Sequence, residues 1–355
     1  MVSRRLLALA CLLLAAACGP SDADARFEKG QKPAVATLEG GTQLAAWPAR
    51  IHADAQGRTV VRAASPVLEL TLTASSAGEA RFVVENVFSG SQVDPSPASQ
   101  QVLGPTSMEL SFQLDPGTTR VRVTPPATGG ALHLAVISDI HDNLTTFARF
   151  VDLVHQSHPE MVLFTGDLTL AGQTDQFDLM FDRLPALEVP FYATLGNHEL
   201  MGPAAARFEE RIGPASVSFN VRGVQLLLVD SASALVAAEL YGWLSQQLSQ
   251  RPDGPALVLT HIPPLDPDGT RDHAFCVRDD ADHFLQVLAE GNTTHLFVGH
   301  IHTYAKYTLR GIPVTLEGGG GGAVEALDGV GHHYVDVVVD PLAAEPVTVK
   351  RVDLD

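Results

Sequence analysis

Residues 132–141 read LHLAVISDIH: a short apolar run, Leu132 to Ser138, that delivers Asp139 and His141 at its carboxyl end. An apolar run of this length without polar alternation is the mark of a strand covered on both faces. The same design recurs downstream. Met161 to Thr165 precedes Gly166-Asp167, and Phe191 to Leu195 precedes Gly196-Asn197-His198-Glu199. Ala256 to Thr260 ends in His261, and His295 to Val298 ends in Gly299-His300-Ile301-His302. Val224 to Val229 is a further run of the same kind. Between the runs lie amphipathic segments. From about Asn143 to His155, Leu144, Phe147, Val151 and Val154 fall at helical spacing, and helices are predicted near 174–184, 203–212, 239–250 and 279–290. Pro313 to Leu316, Tyr334 to Val339 and Val347 to Val352 return to strand texture without intervening helices. Residues 131–355 therefore predict a layered α/β domain with two sheets.

Ligands of open α/β domains sit beyond the carboxyl ends of the strands. Here five different strand ends carry Asp, His or Asn toward one rim. Asp139 and His141 are two apart, so an extended backbone presents both to the same side. Each motif alone decides little: about one Asp-x-His is expected by chance at this composition, and roughly 0.05 Gly-His-x-His. The ordered set is the specific signal. So many imidazoles and carboxylates gathered without a cation would be costly to bury. Imidazole and carboxylate donors suit Zn, Mn or Fe.

This ordered set, Asp-x-His, Gly-Asp, Gly-Asn-His-Glu, His and Gly-His-x-His, resembles the calcineurin-like metallophosphoesterase family over roughly residues 131–320. The resemblance implies a four-layer fold, two packed mixed sheets flanked by helices. It also implies two transition-metal ions. One would be held by Asp139, His141 and His302, the other by Asn197, His261 and His300, with Asp167 bridging both. His198, not needed as a ligand, would meet the phosphoryl oxygen or protonate the leaving alcohol. The implied reaction is hydrolysis of a phosphate mono- or diester by a metal-activated hydroxide. One branch of the family, the purple acid phosphatases, has Tyr three residues after the Gly-Asp aspartate. That position is Leu170 here, so no tyrosinate-iron colour is expected.

Upstream, residues 33–128 have β texture. Short runs such as Val67 to Leu72, Ala80 to Val87 and Met108 to Leu114 are separated by turn clusters such as Asp115-Pro116-Gly117, which predicts a β-sandwich-like domain. Thr124 to Gly130 (TPPATGG) reads as a linker. Residues 1–18 combine Arg4 and Arg5, an apolar run from Leu6 to Ala17, and Ala15-Ala16-Ala17-Cys18. That run is too short to span a bilayer and fits an export signal ending in a bacterial lipobox. The expectation is a lipoprotein of the bacterial cell envelope anchored through Cys18, with secretion as the alternative. Residues 19–32, small and polar, are expected to be a flexible tether. Cys276 has no predicted disulfide partner and is expected to be partly buried.

The chain has 355 residues, 23 Lys+Arg against 41 Asp+Glu, a formal charge of −18 and 45% hydrophobic residues. It is globular, and its charge disfavours nucleic acid as a partner. Two rival readings remain beside the phosphoesterase. One is a surface binding lipoprotein with a catalytically silent scaffold, and the other is a nuclease. Gly318 to Gly322 lacks the Lys-Ser/Thr of a phosphate-binding loop and is expected to be a flexible rim loop. Residues 266–280 are expected to form a substrate-side loop in which Arg271 or Arg278 meets phosphate. His52, His133, His155, His158, His283, His295, His332 and His333 are assigned structural or solvated roles.

Overall fold

The leader and its Cys18 lie outside the residues described by the computed structural model, which are 20–201, 204–267, 273–325 and 329–355. The first described element corrects an expectation. Residues expected to be a flexible tether form helix α1 (Pro20–Gly30). Ala23 and Phe27, four apart and so on one face, are buried in the core of the second domain, where Phe27 meets Trp243 edge to face at 5.9 Å. The segment is too polar to read as amphipathic on its own, so the surface it docks on makes it a helix.

The strands of the first domain are β1 (Ala34–Thr37), β2 (Gln43–Trp47), β3 (Ala49–Ala53), β4 (Thr59–Ala63), β5 (Leu68–Ala74), β6 (Gly78–Glu85), β7 (Gln92–Asp94), β8 (Ser99–Gly104), β9 (Ser107–Leu114) and β10 (Gly117–Thr124). They form two sheets, ordered β1-β2-β5-β10-β7 and β3-β4-β6-β9-β8. Alternation sets which side chains face inward. Leu68, Leu70, Leu72 and Ala74 of β5 point into the core and Glu69 and Thr73 point out. From the other sheet Val61, Phe82, Val84, Leu110 and Phe112 complete the sandwich interior.

The second domain runs β11 (Leu132–Ile137), α2 (Leu144–Ser157), β12 (Met161–Phe164), α3 (Thr174–Phe181), β13 (Phe191–Ala193), α4 (Ala204–Arg211), β14 (Val217–Val221), β15 (Val224–Val229), α5 (Ala238–Gln250), β16 (Ala256–Thr260), α6 (Arg278–Glu290), β17 (His295–Val298), β18 (Tyr304–Leu309), β19 (Ile312–Glu317), β20 (His333–Val339) and β21 (Val347–Asp353). The sheet orders are β13-β12-β11-β20-β21 and β14-β15-β16-β17-β19-β18. Both are mixed: β11 pairs in parallel with β12 and antiparallel with β20, and β14 and β18 are antiparallel edges on a parallel centre. Successive residues of one strand serve different layers. Leu134 and Val136 of β11 pack between the sheets with Leu226, Leu257 and Phe297, whereas Ala135 and Ile137 pack outward against Phe147 and Phe150 of α2. The helices α1, α5 and α6 cover the outer face of the second sheet. This is the four-layer architecture expected above.

The two domains are joined by buried polar contacts. Asn86 accepts from the Phe191 amide at 2.8 Å and donates to the Phe191 carbonyl at 2.9 Å, pairing the outer edge of β13 as another strand would. The Tyr192 hydroxyl donates to the Asn86 carbonyl at 3.0 Å. Residue Arg62 stacks over Phe181 of α3 with its guanidinium 5.3 Å from the ring centre.

Candidate metal centre

Each predicted site residue follows a strand, and the structure brings all eight together. Asp139 and His141 follow β11, Asp167 follows β12, and Asn197 and His198 follow β13. His261 follows β16 and His300 and His302 follow β17, so the carboxyl ends of both sheets converge. The turns are unusually tight. Asp139, His141, Asp142, Asp167 and His300 all have left-handed backbones, with φ between 47° and 69°. Such conformations are unfavourable for non-glycine residues and persist where surrounding bonds fix them. Here the loops tie each other: the Asp139 amide donates to Gly166, His141 to Asp167 and Asp142 to Leu168.

Two carboxylates organise the centre. His261 Nε2 lies 3.2 Å, His141 Nε2 3.3 Å and His198 Nε2 3.8 Å from Oδ2 of Asp167. His302 Nε2 lies 3.3 Å and His141 Nε2 3.9 Å from Oδ1 of Asp139. Asn197 Oδ1 is 2.9 Å from His261 Nε2. The donor atoms of Asp139, His141 and His302 lie within 4.8 Å of one another, and so do those of Asp167, His261 and His300. The second ring nitrogens orient the imidazoles. His261 Nδ1 donates to the Thr165 carbonyl at 3.0 Å, His302 Nδ1 to Ala323 at 2.7 Å, and His198 Nδ1 to Leu170. Because carbonyls only accept, these bonds put a proton on each Nδ1 and turn Nε2 toward the centre.

The electrostatics suit cations. Burial opposes ionisation of Asp139, yet His302 and His261 hold its carboxyl at about 2. Asp167 is likewise buried but held well below the carboxylate range, chiefly by His261 and His198. Burial pushes the His261 imidazole down, but Asp167 outweighs it and holds the group at about 9. Burial and the neighbouring His261 drive His300 down to about 3. Asp139 Oδ1 is buried, accepts no hydrogen bond and faces two imidazole nitrogens. A lone pair left this way is costly unless a cation takes it. The donor set, with an Asp139 Oδ1 that accepts no hydrogen bond, fits metal ions of the Zn, Mn or Fe type.

A supporting residue escaped the sequence reading. Glu199, fully buried, accepts from the amides of Asp167, Gly196 and Thr169 at 3.0, 3.1 and 3.0 Å and from the Thr169 hydroxyl at 3.2 Å. Burial and the charge of Asp167 push its carboxyl up to about 7, against the backbone donors that favour the anion. Its place in Gly196-Asn197-His198-Glu199 was visible, but nothing in the sequence said that it reaches across to the β12 loop. Glu317, also buried, accepts from the Thr165 hydroxyl at 2.6 Å and so braces the residue on which His261 leans.

Two expectations near the rim change, and a third falls partly outside the described residues. Gly318 to Gly322 borders the site, but it is packed rather than loose. A Cβ on Gly320 would lie 2.1 Å from the Ser138 carbonyl oxygen, and one on Gly322 2.6 Å from the His302 ring. The run is glycine because two backbones and the His302 ring meet there. Cys276 is exposed. In the 266–280 loop Arg271 falls outside the described residues, Arg278 is the exposed first residue of α6, and His273 has its ring 5.4 Å from that of His300.

The order of the strand ends, the four layers and the convergent donors can now be compared with known proteins. Residues 132–304 match the calcineurin-like phosphoesterase family. The matched phosphoesterase segment carries all eight candidate residues. A probable glycerophosphodiester phosphodiesterase of Arcobacter nitrofigilis is 29% identical over 137 residues, 36% of this chain and 50% of its own length. A probable cyclic nucleotide phosphodiesterase of Moraxella catarrhalis is 24% identical over 212 residues, 51% of this chain and 74% of its own length. The chain thus spans half the length of the first of these relatives. Among solved structures, a purple acid phosphatase from yellow lupin seeds superposes with a TM-score of 0.54 at 12% identity, covering 87% of this chain and 72% of that one. At that identity the likeness concerns the fold, and it extends over the β-sandwich as well as the phosphoesterase domain.

Proposed function

We propose that the protein is an exported hydrolase of phosphate esters that works with two transition-metal ions. The observation that carries the proposal is the pair of buried, ionised carboxylates, Asp139 and Asp167, ringed by imidazole nitrogens at 3.2–3.9 Å with Asp139 Oδ1 unpartnered. Asp139, His141 and His302 would hold one ion, Asn197, His261 and His300 the other, and Asp167 both. When bound, such ions supply a strong nucleophile at neutral pH and positive charge for the phosphoryl oxygens.

The side chains do the rest. His198 keeps its proton on Nδ1 through Leu170, so Nε2 faces the cluster from the partly exposed side. From there it meets a phosphoryl oxygen or, when protonated, delivers a proton to the leaving oxygen. Glu199 and the glycine run hold the ligand-bearing loops before substrate arrives, which is the preorganisation such chemistry needs. The silent-scaffold rival loses ground because every ligand position carries a donor.

The names of the relatives make phosphodiesters the first substrates to test, with monoesters beside them. The leader motif around Cys18 supports attachment to the bacterial envelope. The decisive experiment loads the purified protein with Mn, Fe or Zn, counts the ions, and screens glycerophosphodiesters, cyclic nucleotides, aryl diesters and monoesters. Two ions per chain and turnover that Asp167→Asn abolishes are the expected result. Fewer ions, or activity indifferent to Asp167→Asn, would overturn the assignment.

A further inference from the structure

Helix α1 lies far from the strand-end motifs in sequence, yet it grips the loop between β15 and α5 at both ends. Arg26 Nε bonds Asp230 Oδ2 at 2.8 Å and its Nη2 bonds Ser233 Oγ at 3.0 Å. Asp24 Oδ1 accepts from the Ala238 amide at 2.7 Å, at the start of α5. The Arg26–Asp230 pair is largely out of water, with side-chain exposures of 18% and 7%. Within the loop, Asp230 Oδ1 accepts from the Ala232 amide at 3.0 Å. The next residue reaches the backbone beside His261. Ser231 Oγ accepts from the Ile262 amide at 2.8 Å and donates to the Ile262 carbonyl at 3.2 Å, and Ile262 directly follows His261. On its other side the loop touches the site-side segment, where the Cys276 amide donates to Ala234 at 2.9 Å.

We infer that Arg26 is a positioning residue for the half of the centre formed by Asn197, His261 and His300, acting through the 230–238 loop. The inference rests on the dinuclear reading of that centre. The fork of Arg26 holds the first turn of the loop, the loop holds both polar groups of Ile262, and Ile262 sets the backbone from which His261 projects. Removing the guanidinium strands a nearly buried Asp230 carboxylate, which must move toward water and carries Ser231 with it. Changes at groups that orient metal ligands typically weaken metal binding 10–100-fold.

The test is a chelator-competition titration of the full-length protein, with the second ion identified as the one whose binding Asn197→Ala removes. Arg26→Ala should weaken that ion about tenfold and leave the ion on Asp139, His141 and His302 unchanged. Arg26→Lys, which keeps the charge but offers one contact instead of a fork, should fall between. Lys29→Ala, on the same helix but itself exposed and paired with half-buried Glu209, should match the parent. Amide exchange on the metal-free protein should quicken at 230–238 and 262 in Arg26→Ala and nowhere else in the strand-end loops. Parent-like constants and exchange in Arg26→Ala would overturn the inference, as would equal weakening of both ions with general loosening. A parent that binds fewer than two ions would defeat the dinuclear proposal itself, and the exchange result would then decide whether Arg26 holds the 230–238 loop.

Discussion

Glu199 offers a quantitative test of how the centre is held. Its carboxylate takes four donors: the amides of Asp167 and Gly196 on Oε2, and the amide and hydroxyl of Thr169 on Oε1. In Glu199→Gln one oxygen becomes an NH2 group. The least costly orientation turns the remaining oxygen to Asp167 and Gly196 and the NH2 to Thr169, whose hydroxyl rotates and accepts. One buried amide, that of Thr169, then lacks a partner, at about 1–3 kcal/mol. Glu199→Ala strands all four donors, which by the same scale costs about 4 kcal/mol or more. The two variants should also differ in metal binding. Glu199→Gln keeps the Asp167 backbone tied and should bind ions much as the parent does, whereas Glu199→Ala should lose at least tenfold in affinity. Urea unfolding of the metal-free proteins at a pH well above the carboxyl's value of about 7, where it is ionised, followed by chelator competition, measures both. If Glu199→Gln were as stable as the parent, the carboxyl would be a proton donor rather than an anion, and the count of acceptors would be wrong. If Glu199→Ala stayed within about 1 kcal/mol of the parent, Glu199 would not organise the loops.

His198→Ala should leave metal content intact while lowering turnover roughly 10²–10⁴-fold, with a smaller loss on p-nitrophenyl esters, whose leaving group needs little protonation. Equal losses on all leaving groups would place His198 on the phosphoryl oxygens instead. His295, buried and bonded to the Thr315 hydroxyl at 2.8 Å, is pushed by burial and then by Lys306 down to about 4 from 6.5. Its unfolded form therefore takes a proton first as pH falls, so this contribution to stability is full above pH 6.5 and is lost as pH falls through 4. The loss reaches about 3 kcal/mol at most. Urea midpoints at pH 7 and pH 5 should draw closer together in His295→Gln, and an unchanged gap would refute this account. Cys18→Ser should release the protein from the membrane fraction or block processing, since among the described residues no helix is long and apolar enough to cross a membrane. Normal processing of a protein already soluble as the parent would mean simple secretion.

Local pattern was enough for much of this protein. The apolar runs of β11, β12, β16 and β17 are legible because a strand covered on both faces must be apolar at every position. The helix from Leu144 is legible because one buried stripe imposes a 3.6-residue period. The eight convergent side chains were legible too, because each follows an apolar strand run and few residue types suit a metal centre. Strands such as β1, β3, β8 and β18 were not foreseen. They are short or edge elements, half exposed, and their composition is that of a loop until a neighbour pairs with them. The clearest failures share a cause. Residues 20–30 are polar and became a helix only because Ala23, Phe27 and Arg26 found partners in α5 and in the loop after β15, 204 residues away in the case of Arg26–Asp230. Gly318 to Gly322 looks flexible as a string and is packed because Ser138, after β11, and His302, after β17, both close on it. Sequence determines which residues can bind metal and which periods can bury a face. Only the tertiary structure decides which polar segment meets a partner, because that depends on contacts made across the chain.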